Sequence, residues 1–116
     1  MTVRAVVIAR NLQLPAAAAA QFTGPVNTTT VIKRAVFTNT SAGIRAVTAH
    51  VVPSGGAVGN STMLINGQSL AAPPGAGSSY VAPELAGVVL QPGDSLQCFA
   101  DAAAGVTLSV NGIQQT

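Results

Sequence analysis

The chain has 116 residues, which fits one domain of ordinary size and leaves little for a second. Charged residues make up 7% of it, against roughly 25% in an average soluble domain, and one histidine, one cysteine and three acids leave most catalytic and metal-binding constellations short of members. No apolar run reaches the roughly 18 residues of a membrane helix, so a compact, weakly charged non-enzyme with no cofactor and no metal is expected.

The first dozen residues carry Arg4 and Arg10 beside Val3, Val6, Val7 and Ile8. Arg10 cuts the apolar stretch below the roughly 7 to 15 residues of a signal sequence, which predicts a mature protein made in the cytosol. Residues 1–14 then form either the first strand of the fold or an arm that adds a strand to a neighbour. The run Ala16–Ala20 has high helix propensity but is too short to hold a helix alone. Residues 30–38 mix β-branched residues with Lys33-Arg34, as in a strand with one wet face. Residues 44–52 form a second strand whose two faces are both weakly polar.

Further along, Met63-Leu64-Ile65 and Gln68-Ser69-Leu70 flank Asn66-Gly67, which predicts a two-residue hairpin. Residues 71–79, rich in Pro, Gly and Ala, predict a long exposed loop, and Pro83–Gly87 one helical turn acting as a connector. Ser95–Ala100 and Val106–Val110 suggest an antiparallel pair closed across residues 102–105, with Leu96, Cys98, Val106, Leu108 and Val110 in the core. Asn111-Gly112 reads as one more turn.

Short Val-, Ile- and Thr-rich runs between closely spaced turn signals specify an all-β fold. About eight short strands in a single domain spanning residues 1–116 favour an antiparallel β-sandwich, and the absence of Trp and of a Cys-Trp-Cys pattern favours a jelly roll over an immunoglobulin fold. With three Phe and one Tyr, the core rests on Val, Leu, Ile and Ala. A small core of that kind makes oligomerisation a natural supplement.

Chemistry is sparse. His50 has no Gly-x-Ser-x-Gly to serve, and Asp94, in a Pro-Gly-Asp-Ser turn, is explained by local hydrogen bonding. Cys98, with no cation near it in sequence, reads as a buried thiol. The five cations Arg4, Arg10, Lys33, Arg34 and Arg45 form no dense run and lack interleaved aromatics, so nucleic acid is not an expected partner. All five precede residue 46, whereas Glu84, Asp94 and Asp101 lie in the last third. If the two groups form different surfaces, copies or partners dock positive to negative, and the five cations are the candidate contacts.

Four segments carry a family likeness: Val31-Ile32-Lys33-Arg34-Ala35-Val36-Phe37-Thr38-Asn39-Thr40-Ser41, Val51-Val52-Pro53-Ser54-Gly55-Gly56, Val88-Val89-Leu90-Gln91-Pro92-Gly93-Asp94-Ser95-Leu96 and Val106-Thr107-Leu108-Ser109-Val110-Asn111-Gly112-Ile113. Together they resemble the small β-rich virion proteins of tailed bacteriophages, which include capsid decoration (cement) proteins and head or tail accessory proteins. The resemblance implies a jelly-roll-like sandwich that self-associates, often as trimers, and clamps subunits of the major capsid protein. It places the protein in the virion, assembled in the host cytoplasm, with no nucleic-acid or membrane partner. Two alternatives stay open: a tail or baseplate accessory protein, and a lectin-like carbohydrate-binding module using a loop region around Tyr80.

Overall fold

In the computed structural model, which describes residues 2–73 and 77–116, the chain forms two packed antiparallel sheets. Nine strands run in the order β1 (Val3–Gln13), β2 (Ala20–Thr23), β3 (Thr29–Asn39), β4 (Arg45–Val52), β5 (Met63–Leu70), β6 (Ser79–Val81), β7 (Val89–Leu90), β8 (Ser95–Ala100) and β9 (Val106–Gln115). The first sheet, A, has the order β1-β9-β3-β6, with β7 also on β3; the second, B, has the order β2-β8-β4-β5.

Pairing is nested: β1 with β9, β2 with β8, β3 with β6 and β7, and β4 with β5. A long antiparallel ribbon rolled so that its strands alternate between two layers gives this order, which is the winding of a jelly roll. The expected sandwich is therefore present, although β1, β3 and β9 run to ten or eleven residues. Residues 1–14 contribute the first strand of sheet A, with β1 lying against β9 from Val3 to Gln13.

Inward alternation builds the core. Along β9, Val106, Leu108 and Val110 are buried while Thr107 and Ser109 are half-buried between them. Phe37, Ile32, Leu70, Leu85, Leu90, Leu96, Val47 and Cys98 complete the apolar layer between the sheets. β3 breaks its alternation once. Ile32 pairs with Gly112 and Arg34 with Asn111, so Lys33 is an extra residue, and the bulge turns both cations to solvent.

Several local expectations are overruled. Asn66-Gly67 makes no hairpin, because residues 63–70 are one strand on β4; Gly67, at φ +64, sits in an irregular stretch of that pairing, where its N–H donates to Thr48 Oγ1 at 3.2 Å. Asn111-Gly112 lies inside β9. β8 and β9 belong to different sheets, so residues 101–105 cross between layers. Ala16–Ala19 form an exposed link between β1 and β2 with no helix. Pro83–Gly87 forms successive turns, with Leu85 N–H to Ala82 O at 3.4 Å and Val88 N–H to Leu85 O at 3.2 Å, and Gly87 at φ +85. That insertion splits one edge into β6 and β7 while dropping Leu85 into the core. Of the expected 71–79 loop, residues 74–76 lie outside the described residues.

One polar side chain ties an end of the sandwich together. Asn39, 1% exposed, donates from Nδ2 to the carbonyls of Gly43 (2.7 Å), Ala71 (3.1 Å) and Leu70 (3.3 Å). Its Oδ1 accepts the N–H and the hydroxyl of Ser41, at 2.9 and 2.8 Å. Replacing it by alanine leaves buried carbonyls without a donor, so Asn39→Ala is expected to cost about 2–3 kcal/mol in urea unfolding. Asn39→Asp, which keeps Oδ1 but loses the donor, is expected to cost no less.

Candidate functional site

The outer face of sheet A concentrates the exposed character of this chain. Val31 pairs with Ile113 and Val89, and Ile113 pairs with Ala5, so an apolar row crosses β7, β3, β9 and β1. Beside it, Val7 pairs with Asn111 and Asn111 with Arg34. Val3, Val7, Val81 and Val89 are between 46% and 59% exposed. Two shallow grooves adjoin at Val7 and Asn111. One, of about 150 Å³, is lined by Val7, Arg10 and Ser109; the other, of about 420 Å³, by Ala5, Lys33 and Ile113.

Every charged residue in the strands of sheet A is a cation: Arg4 and Arg10 on β1, Lys33 and Arg34 on β3. Arg10, Lys33 and Arg34 border the grooves or the Asn111 row and have no hydrogen-bond or ion-pair partner among the described residues. Arg4 donates to Gln114 Oε1 at 3.1 Å. Arg45 lies apart, on sheet B, where its Nε stands 4.0 Å from Asp101 Oδ1 and its Nη1 donates to Ile44 O at 2.9 Å. The fold thus gathers three of the five candidate cations, keeps Arg4 on the same sheet and removes Arg45 to a local structural role. Val7, Asn111 and Ile113 complete the face. Sequence reasoning missed Asn111 and Ile113 because Asn111-Gly112 looked like a turn; the alternation of β9 was the signal that places both outward.

The acids are engaged within the chain. Glu84 accepts the Tyr80 hydroxyl at 2.7 and 2.8 Å. Asp94 accepts the N–H groups of Ser54 and Gln91, both at 3.0 Å. Asp101 faces Arg45. The hydrogen bond to Glu84 raises the Tyr80 pKa and ties the Tyr80 hydroxyl to the turn that follows β6.

His50, 4% exposed, places Nδ1 3.0 Å from Thr62 Oγ1 and stacks its ring on Phe99, centroids 6.1 Å apart. Among the described residues no three His, Cys, Asp or Glu side chains gather as a metal-ligand group. Cys98 is fully buried, and burial pushes its thiol from 9.0 up to about 12. The native protein is expected to leave a disulfide-exchange reagent unconsumed at pH 8 and to react once unfolded. A raised folded-state pKa on an acid that is neutral when protonated stabilises the fold fully below the unfolded value. Through Cys98, stability is therefore expected to fall as pH rises from about 9 toward 12, and alkaline urea titrations of wild type against Cys98→Ala measure that slope.

No family model, curated protein or solved structure matches this chain. The jelly-roll assignment accordingly rests on strand order alone.

Proposed function

We propose that this protein is a structural virion component of a tailed bacteriophage, a capsid decoration or cement protein that stabilises the head by docking sheet A onto capsid subunits. The observation that carries the reading is the outer face of sheet A, where unpaired cations flank an apolar row while the chain's own acids are engaged elsewhere. Such a face suits an acidic partner surface that approaches closely, because most of it carries no ion that must be stripped of water. The jelly-roll winding and the four resembling segments support the same reading. In it the protein works by multivalent contact, with copies of itself and the major capsid protein as partners, and performs no catalysis.

The test is direct. Mass spectrometry and imaging of purified virions are expected to find the chain on the head at fixed copy number. Its absence from particles overturns the virion role, and its presence on tail or baseplate alone overturns decoration. On depleted heads, the variant Arg10→Glu, Lys33→Glu, Arg34→Glu is expected to bind at least tenfold more weakly than wild type.

A further inference from the structure

We infer that two copies of this chain associate through β1, edge to edge and antiparallel about a two-fold axis at Ala5. Thr2 and Thr116 exchange both backbone hydrogen bonds, at 3.0 and 2.9 Å. Antiparallel pairing alternates, so Arg4 and Val6 also turn their backbone groups to β9. Val3, Ala5 and Val7 turn theirs outward, where β1 has no neighbouring strand among the described residues. Their side chains stand on the outer face, so one row of three residues offers both an unpaired hydrogen-bonding ladder and an apolar surface.

The occupant follows from which edges can mate. Over residues 3–7 this edge runs without a register shift, its two shifts lying beyond Val7, and its outward-bonding positions are uncharged, so that stretch lacks the usual protections. Each other edge is shorter or broken: the β6–β7 edge is interrupted by Pro83–Gly87, β2 has four residues and a register shift, and β5 pairs without a shift only from Gln68 to Leu70. Among the described residues, the straight edge that matches residues 3–7 is the same edge of another copy. The outward-bonding positions are the same on either side of Ala5, so this register sets Val3 against Val7 of the second copy and Ala5 against Ala5. The nearest like charges are the two Arg4 side chains, diagonal across the axis and not opposite each other. Each faces Val6 and is held by Gln114 of its own chain, and Arg10 lies past the paired residues. The Lys33-Arg34 bulges of the two copies stand five strand spacings apart, about 24 Å, well beyond the Debye length of about 8 Å at physiological salt.

Light scattering across a concentration series tests the contact, with twice the 11.4 kDa chain mass expected. Ala5→Lys, which sets two ammonium groups opposite each other, is expected to weaken the dimer at least tenfold. Ala5→Cys is expected to cross-link copies under mild oxidation, whereas Val26→Cys, 81% exposed and off this edge, is not. The buried Cys98 thiol keeps out of the reaction. A monomer at millimolar concentration, a trimer, or a dimer indifferent to Ala5→Lys and not cross-linked through Ala5→Cys overturns the inference. The contact does not depend on the virion role, so its failure leaves that role standing, and loss of the role leaves the contact standing.

Discussion

Phe37→Ala is expected to destabilise the protein by about 3–5 kcal/mol, the range for truncating a fully buried aromatic. Phe37 is fully buried near the C-terminal end of β3, which is itself flanked by β9 and by the β6–β7 edge. The other two Phe residues, Phe22 and Phe99, are half-buried, so no second large ring in the core is placed to fill the void. Leu108, its partner on β9, and Leu85 are both fully buried and held in place by their own backbone. A domain of this size has a total stability of roughly 5–15 kcal/mol, so the loss takes a large share of it. Urea unfolding followed by circular dichroism reads the effect as a fall in midpoint at constant slope. Phe37→Leu, which keeps most of the volume, is expected to cost about half as much or less.

Gly112→Ala is the second large effect, although it adds a single methyl group. A Cβ at this position would overlap the carbonyl oxygen of Val31 and come within 3.0 Å of Ile8 Cδ1. The strand cannot step aside, since β9 is held between β1 and β3, and Gly112 pairs with Val6 on one side and Ile32 on the other. The neighbouring bulges at Ile8 and Lys33 already use the local slack. A cost of about 3 kcal/mol is expected, as for overpacking at a closed site, with a fall in melting temperature on the order of 10 °C. Gly59→Ala supplies the control: Gly59 has extended backbone at φ −179 with nothing within 4 Å of the added carbon, so its melting temperature is expected to stay within about 2 °C of wild type.

The two Asn-Gly pairs show where local reading stops. At Asn66 and at Asn111 the dipeptide carries the strongest short-range turn signal in the chain, yet each lies within a strand. Gly67 is used for a left-handed residue in a bulge, and Gly112 for close approach of a neighbouring strand. Both are uses of glycine's missing Cβ, and a sequence window cannot tell them from a turn because the strand that demands them lies far away in the chain. The same limit separated β8 from β9. Their spacing fits a hairpin, but each finds its partners at the other end of the sequence, β8 on β2 and β4, β9 on β1 and β3.

The candidate face was legible in part. Lys33-Arg34 announced a wet surface, and the bulge that turns both outward is visible afterwards in the spacing of Ile32 and Ala35, two buried residues with two exposed ones between them. That Arg10 would join them could not be seen, because it required knowing that β1 returns to the far side of β9. The separation of early cations from late acids proved to have two parts. Arg45 meets Asp101 within the fold, while the sheet A cations are left without acids of their own chain.

By itself the sequence determined an all-β chain with a small aliphatic core, a buried thiol and few charges, since composition and two-residue alternation act locally and survive any arrangement of strands. Tertiary structure alone decided which strands became neighbours. It nested the first strand against the last, left β1 with an open edge and set three unpaired cations around Asn111, because antiparallel pairing joins residues by register across the sheet and not by distance along the chain.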